Sequence, residues 1–297
     1  MNVTTIGYFA DGPWSHQALD KLLEDASVRI AFICARSDRP DPVLRERARD
    51  AGIDFITHEN INADDFLDRM KAYGCDLFVS MSFNQIFRKA IRELPPLGTI
   101  NCHAGKLPFY RGRNILNWAL INDEKDFGVT VHYVDGGIDT GDILAQSSLP
   151  ITDADSYATL LERAYPACAG LLYDTIKAMQ AGQRQGRPQR DIHPVGLYCT
   201  ARGPGDERLT WQQSSRDVFN FVRAICRPGP EARTMLRGGE VRINRVELVP
   251  DAPAYKGVTG AILGVDKAGF LVKTADSFVR VVEWAGLEKP RVGDRFQ

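Results

Sequence analysis

The sequence predicts an α/β protein: a Rossmann-like domain with a mostly parallel sheet, followed by a small β-rich, barrel-like (OB-like) C-terminal domain. Three observations lead there. Residues 1–182 alternate short apolar, β-rich runs with amphipathic helical ones, as a parallel sheet flanked by helices does. Residues 183–200 are polar and punctuated by Pro and Gly, the texture of a linker. Residues 201–297 hold one helical stretch and five short strand-like runs separated by tight turns, the spacing of a small barrel. The 297 residues are 44% hydrophobic and 25% charged. That balance excludes a disordered, collagen-like or coiled-coil chain, and the length suffices for a full core.

The elements follow in order. A strand over 3–10 is broken by Asp11-Gly12-Pro13, and 15–25 carries Ala18, Leu19, Leu22 and Leu23 at helical spacing. Then come a strand VRIAFICA, a helix DPVLRERARDAG stopped by Gly52, and a strand IDFITHENI. ADDFLDRMKAYG is a helix ending on Gly74, and CDLFVSMSF is near-continuously apolar, as strands buried on both faces are. A strand over 98–102 and a helix over 114–122 follow. GVTVHYVDGGIDTGDILAQSSLPI is two strands joined by a Gly-rich loop. A long amphipathic helix runs from Ser156 to about residue 181 behind the cap TDADS. After 200, a helix over 215–224 stops at RPGP, and EARTML, EVRINRVEL, GVTGAILGV, GFLVKTA and SFVRVVEW are the strands.

Charge and motif content exclude several functions. Residues 1–190 carry 21 basic and 25 acidic side chains and residues 191–297 carry 16 and 13. Neither half is the strongly basic surface of a protein that lives on nucleic-acid phosphates. No apolar run reaches the roughly 18 residues of a membrane span, and the start lacks a signal peptide's basic region and cleavage site. The six cysteines stand at 34, 75, 102, 168, 199 and 226 with no CxxC pair, which suits reduced thiols in the cytoplasm. No GxGxxG follows the first strand and no GxxxxGK[ST] occurs, so a nicotinamide enzyme and a P-loop kinase are disfavoured. No His, Cys and carboxylate cluster has metal spacing, and no metal is expected.

The residues suited to chemistry lie in INCHAGKLPFYRGRN (100–114) and DGGIDTGD (135–142). Asn101 and His103 alternate along a strand and share a face at its carboxyl edge, where open α/β sheets place their sites. With Asp139 folded against His103, the site would hold an amide to steady an oxyanion and an imidazole to move a proton near neutral pH. The carboxylate would raise the imidazole pKa. That set suits direct acyl transfer to an amine, with no Ser or Cys nucleophile. Taken singly, a strand-end His is as readily structural, and DGGIDTGD is as readily a polar turn.

Together the two segments resemble the formyltransferase family that uses 10-formyltetrahydrofolate. Its pattern is Asn-x-His, then Leu-Pro-x-x-Arg-Gly, then an Asp in a Gly-rich loop; here these are Asn101, His103, Leu107-Pro108, Arg111-Gly112 and Asp139. The resemblance spans the chain, since two-domain members carry a small C-terminal barrel. It implies that His103 is the general acid/base, that Asn101 stabilises the tetrahedral intermediate, and that Asp139 tunes and orients His103. It also implies a folate pocket made from Gln85, Ile86 and Phe87, from Asp135, Gly136, Gly137 and Ile138, and from Arg113. Without the family, SFNQIF is a plain loop leading into a helix.

Three amines are plausible acceptors: glycinamide ribonucleotide, methionyl-tRNA, or an amino sugar carried on a nucleotide. Glycinamide ribonucleotide enzymes resemble the first domain only. KLPFYRGRNILNWALINDE and YCTARGPGDERLTW resemble enzymes acting on nucleotide-linked 4-amino sugars, including the formyltransferase domain of lipid A aminoarabinose synthesis. The sugar nucleotide is therefore the expected acceptor, in the service of lipopolysaccharide or surface polysaccharide. Methionyl-tRNA is the alternative, and a formyltetrahydrofolate hydrolase the alternative of a different class. Arg111 and Arg202 are candidates for the phosphates, because guanidinium matches phosphate bidentately. Asp11 and Trp14, after the first strand, and Asn117 are further substrate candidates, while Trp118 is read as core. Arg233, Arg237, Arg242 and Arg245 alternate along a hairpin, as a nucleic-acid surface or as a solvated face. A homodimer is an expectation from related enzymes.

Overall fold

The computed structural model describes residues 3–297. Its strands are β1 (Thr4–Ala10), β2 (Val28–Ala35), β3 (Asp54–Thr57), β4 (Leu77–Met81), β5 (Thr99–His103), β6 (Arg111–Gly112), β7 (Asp126–Tyr133), β8 (Ile143–Pro150), β9 (Tyr198–Cys199), β10 (Ala232–Leu236), β11 (Gly239–Leu248), β12 (Ile262–Asp266), β13 (Gly269–Lys273) and β14 (Phe278–Ala285). Its helices are α1 (Pro13–Leu23), α2 (Pro42–Ala51), α3 (Asp64–Ala72), the short α4 (Lys89–Arg92), α5 (Ile115–Ile121), α6 (Tyr157–Gln180) and α7 (Ser215–Ile225). Among the described residues no helix is long and apolar enough to cross a membrane.

The chain divides into two compact units that interleave along the sequence. The first comprises Met1–Gly112, Phe127–Leu149 and Glu162–Cys199; the second comprises Arg113–Asp126, Pro150–Leu161 and Thr200–Gln297. The first is built on a seven-stranded sheet of order β3-β2-β1-β4-β5-β7-β8. Pairing is parallel from β3 through β5 and antiparallel between β5 and β7. The strand order reverses beside β1, so the crevice at the carboxyl ends of β1 and β4 is the switch point where such sheets bind ligands.

Packing explains why the strands hold. All five residues of β4 are buried, Ser80 included, as the near-continuous apolar run leads one to expect. Phe9 packs against Phe32, Phe78 and Phe87 with ring centroids 5.4, 5.1 and 4.9 Å away, in tilted to edge-on geometry. Gly7 makes room for this cluster: a Cβ there would lie 2.4 Å from the Phe32 ring and 2.7 Å from the Phe78 ring. Asp41 caps α2 by accepting from the amides of Val43 and Leu44, Pro42 opens the helix, and Gly52 closes it in the left-handed region. Residues 183–199, polar in sequence, pack on this unit through their backbone. Arg187 pairs with Ile143 and β9 pairs with β6, so main-chain bonds do what apolar side chains do elsewhere.

The second unit carries a five-stranded antiparallel sheet of order β10-β11-β14-β13-β12. Its edges β10 and β12 are joined by the chain terminus. Ile262 donates to the Asp294 carbonyl, Phe296 to Gly260 and Gln297 to Met235, while the Phe296 ring stacks on Trp211. That closure is what makes the sheet barrel-like. Ser214 caps α7 through the Asp217 amide.

Candidate active site

β5 and β7 set the site. In their antiparallel register Asn101 faces His132 and His103 faces Thr130. The His103 Nε2–H donates to the Tyr110 carbonyl at 2.7 Å, so the neutral ring carries its lone pair on Nδ1. That atom stands 3.6 Å from Asp139 Oδ2, too far for a hydrogen bond and near enough for strong charge interaction. Gly105 allows the ring its place, because a Cβ there would lie 2.4 Å from His103 Nε2 and 2.5 Å from the Tyr110 carbonyl oxygen.

Asp139 is the hub. Its Oδ2 accepts from the Gly112 amide at 2.9 Å, and its Oδ1 lies 3.4 Å from His132 Nε2. Burial alone would raise this carboxyl, but the protonated rings of His103 and His132 and the Gly112 N–H outweigh it, so that as pH falls the group keeps its charge well below the usual carboxylate range. Burial lowers the His103 pKa below its ordinary value, opposed in part by the Asp139 charge and the Tyr110 carbonyl. His103 is therefore a neutral imidazole at neutral pH, able to accept a proton, beside a carboxylate that favours the protonated ring.

His132 was not among the residues singled out by sequence. It is 2% exposed, its Nδ1–H goes to the Tyr133 carbonyl, and its Nε2 accepts from Asn101 Nδ2 at 3.3 Å. This turns the Asn101 amide nitrogen inward and leaves a second N–H for an oxyanion. A histidine in the β-branched run GVTVHYV was the available signal, but its partner depends on strand register.

The residues expected around folate fall into two loops of the first unit, plus Arg113. After β4, Gln85 ties the loop down: its oxygen accepts from Ile61 and its nitrogen donates to the His58 carbonyl. Ile86 is 63% exposed. The Phe87 ring is buried in the phenylalanine cluster, so what this residue offers the loop surface is its main chain. In the loop after β7, Asp135 accepts from the Gly137 amide and the Thr140 hydroxyl. Gly136 is exposed there, and Ile138 is 53% exposed. Two apolar side chains left in water, on loops rich in main-chain donors and acceptors, fit a flat amide-like heterocycle. Arg113 is exposed and belongs to the second unit.

The substrate candidates separate more sharply. Arg111 is half-buried, with Nε and Nη2 on the Gln189 side-chain oxygen and its guanidinium 5.4 Å from the Tyr198 ring. The Asp11 carboxylate pairs with Arg36 at 3.3 Å, and the Trp14 ring packs edge-on against Tyr165. Asn117 is corrected: it is 5% exposed and its amide donates to the Ala224 carbonyl at 2.5 Å, fastening α5 to α7. Trp118 is corrected as well. It is half-buried rather than core, with Nε1 on the Thr200 carbonyl. Arg202 lies between the Trp118 and Phe221 rings, at 5.4 and 5.5 Å, and burial lowers its pKa. Among the described residues no group of three His, Cys or carboxylate side chains is placed to hold a metal.

Comparison with known proteins matches this geometry. A family model described as formyl transferase covers residues 4–174, and one for the formyl transferase C-terminal domain covers residues 203–292. The methionyl-tRNA formyltransferase of Halothermothrix orenii is 31% identical over 278 residues, 89% of this chain and 87% of that protein. The N-formyltransferase from Helicobacter canadensis, solved with folinic acid and dTDP-3-aminofucose, superposes with a TM-score of 0.70 at 18% identity, over 95% of this chain and all of the other. HypX from Aquifex aeolicus superposes with a TM-score of 0.64 at 18% identity over 97% of this chain, which spans about half of that longer protein (47%). With both domains matched and the Asn101, His103 and Asp139 constellation assembled, the chain belongs to the formyl transferase family, one-carbon transferases that take their formyl group from formyl-tetrahydrofolate.

Proposed function

We propose that the protein moves the formyl group of 10-formyltetrahydrofolate onto the amine of a nucleotide-linked amino sugar. The observation that carries this choice is the state of the C-terminal arginines. Arg233 lies 3.7 Å from both Glu207 and Glu240, Arg242 is 3.4 Å from Glu231, Arg245 is 3.0 Å from Glu247, and Arg237 pairs with Asp294. A surface that holds tRNA works by releasing counterions from phosphates onto available cations. Here each arginine of the hairpin already has a carboxylate, which supports a solvated ion-paired face. The chain's net charge of −1 agrees. Methionyl-tRNA is the second reading, favoured by the 31% identity to enzymes of that name.

In the reaction the amine adds to the formyl carbon, and the carbonyl oxygen gains charge that the free N–H of Asn101 stabilises. His103 takes the amine proton at Nδ1, beside Asp139, and returns a proton as the bond to the folate nitrogen breaks. Asp139 stays ionised and balances the imidazolium. Arg111 is the guanidinium we assign to the diphosphate. The reducing cytoplasm suits the buried thiols, of which Cys34 and Cys75 are pushed up to about 12 by burial.

The test is release of tetrahydrofolate, followed by absorbance, with a panel of nucleotide-linked amino sugars beside methionyl-tRNA. Turnover with a sugar nucleotide and none with tRNA is expected. Turnover with tRNA alone overturns the reading of the acceptor, and release without any amine identifies a hydrolase.

A further inference from the structure

Gln189 lies in the polar segment after α6, yet it is 3% exposed. The backbone fixes it there. Arg187 and Ile143 exchange both N–H···O bonds at 2.8 and 2.9 Å, and one tight turn, Gln189–Asp191, follows Pro188. Its side-chain oxygen accepts from Arg111 Nε at 3.0 Å and Nη2 at 2.6 Å. Its nitrogen donates to the main-chain carbonyls of Asp139 and Gly141, both at 2.8 Å. Only an amide does both, because a guanidinium demands an acceptor and two carbonyls demand donors.

The residue it holds is under backbone constraint. Asp139 has a φ of 54°, in the left-handed region that a side-chain-bearing residue keeps only where its surroundings hold it. Glycine would relieve that constraint and remove the carboxylate. The Asp139 carboxylate is also bonded to the Gly112 amide, next to Arg111. One buried amide thus touches the peptide of the charged partner of His103 and the cation assigned to the substrate.

We propose that Gln189 is a positioning residue for formyl transfer: it holds the Asp139 peptide so that the carboxylate faces His103, and it holds Arg111 with the same amide. Seating an anionic group of the acceptor on Arg111 and aligning the proton-accepting pair are thereby coupled. The Arg111 half rests on the reading of a nucleotide-linked acceptor, and the Asp139 half does not.

The experiment compares Gln189→Glu, Gln189→Met and Arg111→Met in the full chain. Three quantities are measured: kcat, the acceptor KM, and the titration of His103 by NMR without acceptor. Titratable neighbours of His103 are Asp139 and His132, with the Tyr110 carbonyl on the other nitrogen. Gln189→Glu keeps oxygens for Arg111 and loses both donated bonds. It is expected to lower kcat about 10- to 100-fold, as a misplacement of about 1 Å does. Its carboxylate pairs with Arg111, so the acceptor KM should rise, while in Gln189→Met, which adds no charge, the His103 titration should move to lower pH because the Asp139 carboxylate that raises it has shifted. Gln189→Met, which keeps the site apolar and filled, is expected to lose kcat as well and to raise the KM. Arg111→Met is expected to raise the KM and leave the His103 titration in place. A full kcat with an unmoved His103 titration in both position-189 variants overturns the proposal, whatever their thermal stability. The titration needs no acceptor, so it still decides the role of Gln189 if the sugar-nucleotide reading fails.

Discussion

Replacing Asp139 with Asn tests the central electrostatic claim. The side chain keeps its shape and can still accept from the Gly112 amide, so the main change is the loss of one charge 3.6 Å from His103 Nδ1. Two unit charges at that separation interact by about 4–5 kcal/mol at an effective dielectric near 20. The Asn dipole recovers part of this, leaving a loss of about 3–4 kcal/mol as the ring takes its proton. That is a fall in kcat of about 10²–10³. The pH profile gives an independent sign. Burial lowers the His103 pKa and the Asp139 charge opposes it. Removing the charge leaves burial unopposed, so the acid limb of kcat/KM moves to lower pH. Stability should respond as well. The Asp139 carboxyl titrates below its unfolded value, so its contribution is complete above a pH of about 4 and is lost as pH falls through the folded value. The assay is folate release from pH 5 to 9 with the accepted amine. A plateau within threefold of the parent, or an acid limb displaced upward, would refute the reasoning.

Three further substitutions address other links. Gly105→Ala places a methyl 2.4 Å from His103 Nε2 and 2.5 Å from the Tyr110 carbonyl oxygen, so turnover should fall about 10- to 100-fold and the unfolding midpoint should fall as well, because main chain must move along with the ring; near-normal kcat would count against the assigned ring position. Asn117→Leu removes the bond to the Ala224 carbonyl and leaves that oxygen buried. It should cost about 1–3 kcal/mol in denaturant titrations with the acceptor KM unchanged, and a raised KM with intact stability would restore the role in substrate binding. Phe296→Ala takes a ring that is 3% exposed from its stack on Trp211. A loss of about 3–5 kcal/mol is expected from the second unit, and an unchanged midpoint would show that the terminus does not close the sheet.

Much of this fold was legible because it is local. The near-continuous apolar run 77–81 announced a strand covered on both faces, and it is buried throughout. The run DPVLRERARDAG with its stop at Gly52 announced α2. Asn101, His103 and Asp139 were legible for a different reason: two short motifs carry them, and β5 and β7 bring those motifs together. His132 was not legible, because its pairing with Asn101 follows from antiparallel register, and a shift of one residue would turn it to the other face. Gln189 was hidden further, since a polar glutamine in a Pro- and Gly-rich stretch carries no sign that Arg187, two residues before it, is paired to β8 or that its own side chain is buried.

The substrate residues show where motif texture stops carrying information. Asn117 follows the catalytic motif by a few residues, and proximity in sequence made it a contact candidate. The chain, however, leaves the first unit at Gly112 and returns at Phe127, so α5 is part of the second unit. There the Asn117 amide serves α7 and the Trp118 indole serves the Thr200 carbonyl. Arg202 is drawn into the same arrangement: Asn114 accepts from its amide, and its guanidinium lies between two rings. Parts of RGRNILNW and YCTARGPGDERLTW therefore pack on each other: Arg111-Gly112 pairs with Tyr198-Cys199 in the first unit, and Asn114 and Trp118 bond Arg202 and Thr200 in the second. The acceptor must be sought instead among groups that remain tied to Asp139, and of the substrate candidates that condition is met by Arg111, through Gly112 and Gln189.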